Sequence, residues 1–269
     1  MSPNSDLRLS LIVPTYNGAA YIERNIRQIV GELARLGEQF EVLVVCDGST
    51  DSTAEAAKLV DDSRVRVLSY PINRGKGFAI THGVSEAHGR LIGWLDSDLD
   101  IPPSVIVDFV QRIDGSEDLD AVVGSKRHPD STVVYPLLRR AYSLGYQVLT
   151  RTLFRVNCRD TQVGAKVFRR EMLETVCPLL LVKHYAFDLE VLAVGAEFGF
   201  DRLDEGPVVI GERFSGTSIN WSAVRGMLLD TLAIAYRIHL RHYYVRQFAA
   251  LQRERVDASE MPKALVEDR

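Results

Sequence analysis

Cysteine pairs and long apolar runs are both missing from this chain of 269 residues. The three cysteines, Cys46, Cys158 and Cys177, are scattered without a C-x-x-C pair, which predicts reduced thiols in a cytoplasmic protein rather than a disulfide framework. No stretch of roughly eighteen or more consecutive apolar residues occurs, so we expect no membrane-spanning helix. The N-terminal residues MSPNSDLRLS lack the apolar segment of a signal peptide, so we expect no export leader.

Positive charge is not in excess either, because the formal net charge at pH 7 is -4. That balance argues against general nucleic-acid binding. The sequence also lacks a G-x-G-x-x-G dinucleotide fingerprint after a strand, a G-x-x-x-x-G-K-[ST] phosphate loop and a G-x-S-x-G nucleophile elbow. The remaining composition, 46% hydrophobic and 25% charged residues, is typical of a soluble globular protein with one large domain or two small ones.

The most informative segment that is present is an acidic one. Asp96, Asp98 and Asp100 stand at alternate positions after the apolar run 91–95, which predicts a buried strand. Because unpaired carboxylates are costly to bury, they must lie where the strand emerges. Alternate side chains of an extended chain can converge on one side, and such hard oxygen ligands suit Mg²⁺ or Mn²⁺. The three aspartates are therefore a candidate metal site.

Two other interpretations of this acidic segment can be weighed. A calcium EF-hand is excluded, because with Asp96 as the first loop position the required glycine is Ile101 and the bidentate glutamate is Val107. A solvated acidic turn before a helix that opens at Pro102-Pro103 stays open as the alternative.

The first half of the chain alternates apolar strands with helical patterns. Strands are predicted at 9–13, 41–46, 65–68, 91–95 and 121–123, with helices between them. This order predicts the α/β class, with a mostly parallel sheet flanked by helices. Ligands of such sheets bind at the carboxyl ends of the strands. The informative polar residues, at 15–17, 47–49, 73–76 and 96–100, all follow predicted strands.

Two arginine-bearing segments with few acidic residues, 135–156 and 222–245, predict amphipathic helices in the second half. Such helices can lie in a membrane interface, and the alternative is a packed or oligomer-forming helix whose arginines face water. Residues 251–269 are charged and weakly patterned, which predicts a disordered tail. The predicted organisation is an α/β domain over 1–215, a membrane-associating or oligomerising helical segment over 216–250, and that tail.

Four short motifs follow the predicted strands in the first half. They are Val13-Pro14-Thr15-Tyr16-Asn17, Asp47-Gly48-Ser49-Thr50-Asp51, Asn73-Arg74-Gly75-Lys76-Gly77 and Asp96-Ser97-Asp98. In order and spacing they resemble the family 2 glycosyltransferases. The resemblance implies the Rossmann-like GT-A fold and a nucleotide-sugar donor.

Motifs in the second half narrow the resemblance. They are Gly124-Ser125-Lys126-Arg127, Arg139 with Ser143, the D-T-Q-V-G-A-K segment 160–166, and the R-F-S-G-T-S segment 213–218. These look like the polyprenyl-phosphate (dolichyl-phosphate) hexose synthases. The D-T-Q-x-G-x-K form is more similar to the glucosyl branch than to the mannosyl branch. The resemblance extends roughly over 9–218.

The resemblance implies roles for residues on the donor side. Pro14 and Tyr16 would form a wall against the base, Asp47 would accept from an N–H of uracil or guanine, and Lys76 would reach a phosphate. Mg²⁺ or Mn²⁺ held by Asp96 and Asp98 would neutralise the charge that develops on the leaving nucleoside diphosphate. Asp100 would complete the shell or hold a metal-bound water.

On the acceptor side, a lipid phosphate is already anionic and needs cationic guidance rather than a strong base. The residues implied for that guidance are Lys126, Arg127, Arg139 and Arg213. Asp160 and Gln162 would border the acceptor and the sugar, and with Asp98 they are the candidate catalytic residues. A structural capping or ion-pair role is the alternative for Asp160. Attack opposite the nucleotide would invert the anomeric centre.

The sequence thus predicts a metal-dependent, inverting glycosyltransferase that moves a hexose to a polyprenyl phosphate. We expect UDP-glucose as the first choice of donor and GDP-mannose as the second. We also expect the protein to lie peripherally at the cytoplasmic face of the membrane. The alternatives are a GDP-mannose-dependent mannosyltransferase, a family 2 enzyme with a soluble acceptor, and a catalytically silent nucleotide-sugar-binding protein. A homo-oligomer and a separate membrane subunit both stay open as partners.

Overall fold

The computed structural model describes residues 7–37, 39–133, 137–184, 186–210 and 221–260. Its strands are β1 (Leu9–Thr15), β2 (Phe40–Asp47), β3 (Val65–Tyr70), β4 (Leu91–Leu95), β5 (Ala121–Ser125), β6 (Thr132–Val133), β7 (Ala165–Arg169), β8 (Leu203–Pro207) and β9 (Val209–Ile210). Its α-helices are α1 (Ile22–Leu33), α2 (Thr53–Lys58), α3 (Lys76–Glu86), α4 (Ser104–Asp114), α5 (Leu137–Leu153), α6 (Arg170–Val176), α7 (Phe187–Glu197), α8 (Trp221–Ala235) and α9 (Tyr243–Glu260).

Seven of the described strands form one sheet in the order β3-β2-β1-β4-β7-β5-β8. The neighbours β3-β2, β2-β1, β1-β4 and β5-β8 pair in parallel. Strand β7 comes late in the chain and runs antiparallel between β4 and β5. The predicted α/β class with a mostly parallel sheet is confirmed, and the inserted antiparallel strand is the feature that the sequence pattern did not predict.

Helices cover both faces of this sheet, so the strands β1, β2, β4 and β5 are buried on both sides. In β1, Leu11 and Val13 pack with α1 and α4, while Ile12 between them packs on the opposite face toward α3. Burial on both faces explains why the strands are continuous apolar runs rather than alternating ones. The carboxyl ends of β1, β2 and β4 therefore meet at one edge, where their polar residues leave the core.

Helix α7 lies almost wholly inside the protein, since residues 187–195 are all buried. The C-terminal segment contributes to this interior, because Ile234, Ile238 and Tyr244 belong to the same core as α7. Helix α5 is tied to α8 by a hydrogen bond of 3.0 Å between the hydroxyls of Tyr146 and Thr231. The C-terminal helices are thus part of the packed α/β domain, because they share its hydrophobic core.

The predicted continuous helix over 222–245 is interrupted in the structure. Helix α8 ends at Ala235, a π-helical turn follows at Tyr236–Leu240, and α9 begins at Tyr243 after His242 adopts a φ of 47°. A positive φ is unfavourable for a non-glycine residue and breaks the helical path. Helix α9 continues to Glu260, so the first part of the predicted tail is helical, and residues 261–269 lie outside the described ranges. In the part of the chain that is described, no helix is long and apolar enough to span a bilayer.

Candidate active site

A cleft of about 370 Å³ opens at the carboxyl edge of the sheet. It is lined by every residue predicted for the donor, namely Pro14, Tyr16, Asp47, Lys76 and Asp96. Asp98 lines it as well, whereas Asp100 is not among its lining residues. Thr15 was not among the predicted ligand residues, but it lines the cleft, and its buried hydroxyl has no hydrogen-bond partner among the described residues. Its place at the end of β1, inside the first motif, was the available signal.

Two of the motif loops are fastened to each other beside this cleft. The Asn17 side chain accepts from the Thr50 N–H at 2.8 Å, and the Asn17 N–H donates to Ser49 Oγ at 3.1 Å. Gly48 has a φ of +60°, and a Cβ there would stand 2.1 Å from the Asn73 backbone nitrogen. Only glycine fits that approach. Several motif residues therefore build the loops, and do not themselves offer groups to a ligand.

Asp47 has such a building role in addition to its predicted one. It is buried, and its two carboxylate oxygens accept from the N–H groups of Arg74, at 2.7 Å, and Gly75, at 2.9 Å. Each carboxylate oxygen has a second acceptor site, so Asp47 can still receive an N–H from a base in the cleft. One side chain thereby fixes the loop that leads into α3 and retains acceptor capacity at the cleft.

Lys76, the first residue of α3, forms an ion pair with Asp96 across the cleft. Burial alone would lower the pKa of this lysine, but the carboxylates of Asp96, Asp188 and Asp98 outweigh it and raise the pKa. Lys76 is therefore a fixed cation beside the acidic turn. An incoming diphosphate would meet the lysine and a carboxylate that are already paired, and it would compete with Asp96 for the ammonium group.

The three aspartates do not converge as the alternation of an extended chain predicted. The chain turns directly after β4, Leu99 adopts a φ of 56°, and the Asp100 N–H donates to Asp98 Oδ1 at 3.2 Å. Among the described residues, no three His, Cys, Asp or Glu side chains are placed to hold a metal ion together. The predicted three-carboxylate site is thus not formed, because a turn replaces the extended chain that would have aligned it.

Asp96 and Asp98 nevertheless fit a metal that the substrate helps to hold. Mg²⁺ is commonly bound through one or two carboxylates together with substrate phosphates and water. Both aspartates line the cleft. Desolvation in the cleft raises the pKa of Asp98, and the nearby carboxylates of Asp100 and Asp96 add to this, against the hydrogen bond from the Asp100 N–H. A cation at this place would relieve that repulsion.

The antiparallel strand β7 brings the D-T-Q-V-G-A-K segment to the acidic turn. Ala165 pairs with Leu95, so the residues before β7 lie beside the residues after β4. A Cβ on Gly164 would stand 1.9 Å from Asp96 Oδ2 and 2.5 Å from its Cγ. The glycine of this motif therefore provides the space that the Asp96 carboxylate occupies.

Asp160 joins the two loops of the predicted acceptor side. Its carboxylate accepts from the Gln162 N–H at 3.1 Å and from the Lys126 N–H at 3.4 Å. Arg127 donates to the Gln147 side chain of α5 at 2.5 Å. The structural role that was the alternative for Asp160 is therefore present. The loop residues Asp160, Gln162, Lys126 and Arg127 are brought together near the carboxyl ends of β4 and β5.

Lys166, the last residue of that motif, lies under the site rather than in it. It is completely buried, and its Nζ donates to Asp188 Oδ1 at 2.6 Å and to the Val163 carbonyl. The indole N–H of Trp94 on β4 donates to the same Asp188 oxygen at 3.2 Å. Through Asp188, the motif lysine therefore links β7 to β4 inside the protein. From the sequence alone, this structural role could not be distinguished from contact with a ligand.

Two predicted acceptor residues cannot be placed by their side chains. Arg139 belongs to α5, but its side chain lies outside the described part of the structure, and Arg213 falls in the undescribed range 211–220. A larger cavity of about 530 Å³ occurs elsewhere, lined by residues at the end of α3 and by α6. None of the predicted site residues lines it, and it is not at the carboxyl edge where sheets of this class bind ligands.

A mostly parallel sheet whose carboxyl edge combines a cleft, a fixed lysine and an acidic turn has the architecture of a GT-A glycosyltransferase. Two solved structures share this fold. Mannosyl-3-phosphoglycerate synthase from Rubrobacter xylanophilus has a TM-score of 0.66 and 18% identity, covering 88% of this chain and 75% of that one. Glucosyl-3-phosphoglycerate synthase from Mycobacterium tuberculosis, in complex with UDP, has a TM-score of 0.63 and 18% identity, covering 86% and 79%.

Residues 10–177 match the family model described as glycosyl transferase family 2, and the chain belongs to that family. Among curated proteins, the dolichyl-phosphate beta-glucosyltransferase of Dictyostelium discoideum is 28% identical over 246 residues, which cover 85% of this chain and 71% of that protein. Glycosyltransferase AglD of Haloferax volcanii is 32% identical over 206 residues, 75% of this chain. The match spans 33% of the length of AglD.

Proposed function

We propose that this protein is an inverting glucosyltransferase that transfers glucose from UDP-glucose to a polyprenyl phosphate at the cytoplasmic face of a membrane. The observation that carries the proposal is the cleft that gathers all five predicted donor residues beside the D-T-Q-V-G-A-K loop. The curated relatives named as dolichyl-phosphate beta-glucosyltransferases support the acceptor and the sugar. Within this proposal, residues 1–215 are the catalytic domain.

The donor is held by groups that the structure brings together. Asp47 accepts an N–H of the base, Tyr16 forms the wall of the cleft with half of its surface exposed, and Lys76 contacts the diphosphate as a point charge. Asp96 and Asp98 would hold Mg²⁺ or Mn²⁺, which supplies charge neutralisation for the leaving nucleoside diphosphate. A complex of the M. tuberculosis structural neighbour contains Mn²⁺, UDP and phosphoglyceric acid, which supports a divalent ion in this fold.

The acceptor phosphate attacks the anomeric carbon from the side opposite the nucleotide, so the bond to the diphosphate breaks as the new bond forms and the configuration inverts. Its oxygen is already anionic, and no proton has to be removed. Lys126 and Arg127 lie on the loop that Asp160 fixes, where they orient the phosphate. Gln162, on the same fixed loop, borders the sugar.

A screen of donors against acceptors tests the proposed reaction. The protein is incubated with UDP-glucose or GDP-mannose, Mg²⁺ or Mn²⁺, and either a polyprenyl phosphate or a soluble phosphate acceptor such as 3-phosphoglycerate. We expect a glucosylated lipid phosphate, identified by mass. Product on the soluble acceptor alone would replace the proposed acceptor, and absence of turnover with every pair would favour the catalytically silent protein.

The two predicted phosphate-binding arginines give a kinetic prediction. Replacing Arg139 or Arg213 with alanine is expected to raise the KM for the lipid phosphate about tenfold or more and to leave the KM for the donor nearly unchanged, because a charge-assisted contact to phosphate is lost. Steady-state kinetics with each substrate varied measure this. Arg35→Ala, at an exposed arginine paired with Glu32, is the control. A rise confined to the donor constant would contradict the assignment.

A surface on the C-terminal helices supports the membrane position. Helix α8 and the π-helical turn expose Leu228, Leu229, Leu232, Tyr236 and Leu240, and the paired helix α5 exposes Leu144 and Val148. Arg225, Arg241 and Arg246 are exposed on the same segment. Apolar side chains enter the lipid interface while arginines attract anionic headgroups, so a bilayer surface is the occupant that both features favour. Arg237 does not take part, because it faces the interior at Glu190.

Vesicle binding tests this surface. The double variant Leu232→Glu with Leu240→Glu is expected to bind anionic vesicles at least about tenfold more weakly, because two apolar side chains no longer enter the lipid. Wild-type binding should also weaken as salt rises. Leu59→Glu, at an equally exposed leucine of the α/β domain, is the control. Equal flotation of all three proteins would contradict the docking surface. Deleting the segment is unsuitable, since Ile234 and Tyr244 are core residues.

A further inference from the structure

Glu190 is a completely buried carboxylate that no step of the proposed reaction uses. It lies on α7, and its two oxygens point to different parts of the chain. Oε2 accepts from the N–H groups of Leu181, at 3.1 Å, and Val182, at 2.8 Å. Oε1 accepts from the Tyr244 hydroxyl at 2.6 Å and lies 3.5 Å from Arg237 Nη1. Burial of a carboxyl group costs stability unless its oxygens find partners, so those partners indicate what it holds together.

The loop that Glu190 holds is in backbone contact with the donor cleft. The Lys183 carbonyl accepts from the Gly77 N–H at 2.9 Å, in the first turn of α3. A Cβ on Gly75 would stand 2.5 Å from the same Lys183 oxygen, so the loop and the start of α3 leave no space between them. Lys76 lies between these two glycines. A shift of the loop therefore displaces the backbone that carries the donor lysine.

The other oxygen of Glu190 connects to the membrane-facing helices. Arg237 lies in the π-helical turn and Tyr244 at the start of α9, on either side of the break at His242. π-Helical turns occur frequently at functional sites. The turn that gives Arg237 its inward direction also exposes Tyr236 and Leu240 on the outer surface. The same short segment thus faces the proposed bilayer on one side and Glu190 on the other.

We propose that Glu190 is a positioning residue for Lys76, and that it ties the donor cleft to the C-terminal helical segment through Tyr244 and Arg237. Glu190 acts through the 181–184 loop and does not touch the substrate. The inference rests on the proposed function for the identity of the donor that Lys76 contacts. The connection itself consists of hydrogen bonds and one ion pair within the chain, which can be tested without any substrate.

The test compares Glu190→Gln and Tyr244→Phe with the matched control Tyr243→Phe, which removes the hydroxyl of the neighbouring, partly exposed tyrosine. Amide hydrogen exchange is followed at Leu181, Val182 and Gly77, together with the thermal unfolding midpoint and the Kd for UDP-glucose and GDP-mannose without acceptor. We expect about tenfold faster exchange at the three amides and a donor Kd about tenfold higher in the two test variants, because a buried hydrogen-bond partner is lost. The acceptor KM and the control variant should stay near wild type.

Two results would overturn the proposal. One is unchanged exchange at Gly77 in folded Glu190→Gln, which would show that the loop does not hold the start of α3. The other is faster exchange with a lower unfolding midpoint but an unchanged donor Kd, which is the signature of a purely structural carboxylate. If wild type binds neither nucleotide sugar, the proposed donor is wrong, and the exchange at Gly77 still decides whether Glu190 holds that turn.

Discussion

Replacing Asp98 with asparagine is expected to lower kcat about a hundredfold or more while the protein remains folded, because the variant loses an anionic ligand of the divalent ion that would neutralise the charge developing on the diphosphate. The side chain keeps its size and can still accept from the Asp100 N–H, so the turn after β4 is preserved. Steady-state turnover at saturating donor and acceptor, with circular dichroism to verify the fold, measures the effect.

Asp100→Asn is the matched control for this experiment. Asp100 is two residues away and is an aspartate of the same acidic turn, but it does not line the cleft. We expect it to change kcat less than about threefold, within the range of a surface charge change near a site. Excess chelator should lower the kcat of the wild-type protein to a similar extent as the Asp98→Asn substitution does. If Asp98→Asn and chelated wild type both turn over normally, a divalent ion has no part in the reaction.

Gly164→Ala is expected to lower kcat/KM about a hundredfold or more, since misplacing a reacting group by about 1 Å can have that effect. A methyl group at this position would occupy the space of the Asp96 carboxylate and turn it away from Lys76. The backbone of Gly164 is not in the left-handed region, so alanine adds no backbone strain and the added Cβ alone causes the change.

The control is Gly31→Ala in α1, where a Cβ would meet no atom within 4 Å. It should leave turnover unchanged and stabilise the fold by about 0.5–1 kcal/mol, because alanine is the better helix former. Thermal unfolding and turnover of both variants are compared side by side. Full activity of folded Gly164→Ala would show that Asp96 tolerates another orientation, and that its pairing with Lys76 is not needed.

The first half of the fold was predictable because local pattern and tertiary packing agree there. Each of β1, β2 and β4 is a short apolar run buried on both faces, and α1 buries the apolar residues that recur at helical spacing, namely Ile22, Ile26, Ile29, Val30 and Leu33. Parallel strands then bring their carboxyl ends to one edge without further information. For this reason the donor residues could be grouped from the sequence alone.

Strand β7 was not predictable by the same route. Its sequence, A-K-V-F-R, contains Lys166 at a completely buried position, which a hydrophobicity pattern assigns to the surface. The lysine is accommodated only because Asp188, 22 residues later, lies against it. Contacts of that kind depend on the finished fold, so the antiparallel direction of β7 and the approach of Gly164 to Asp96 could not be read from the chain.

The predictions for the acidic turn and for the C-terminal helix were wrong for a different reason. Both assumed regular backbone geometry through a residue whose backbone is irregular. Alternation required an extended chain through Leu99, which instead has a positive φ. Helical periodicity was continued through His242, which also has a positive φ. Neither residue is a glycine or an asparagine, so the sequence offered no signal for the left-handed backbone. In the first case Asp100 does not line the cleft beside Asp98, and in the second Arg237 and Tyr244 lie on either side of the break.

The late strand β7 also has a consequence for how the chain reaches its native state. The second neighbour of β4 is β7, which is synthesised roughly 70 residues after β4. Until then the position between β4 and β5 in the sheet is unoccupied. Until β7 occupies that position, the edges of β4 and β5 expose unpaired backbone groups. Such edges can pair with other chains, which is a common cause of aggregation. We therefore expect a chain truncated at the end of β5 to aggregate more readily than the full chain, because β4 and β5 would lack their shared partner.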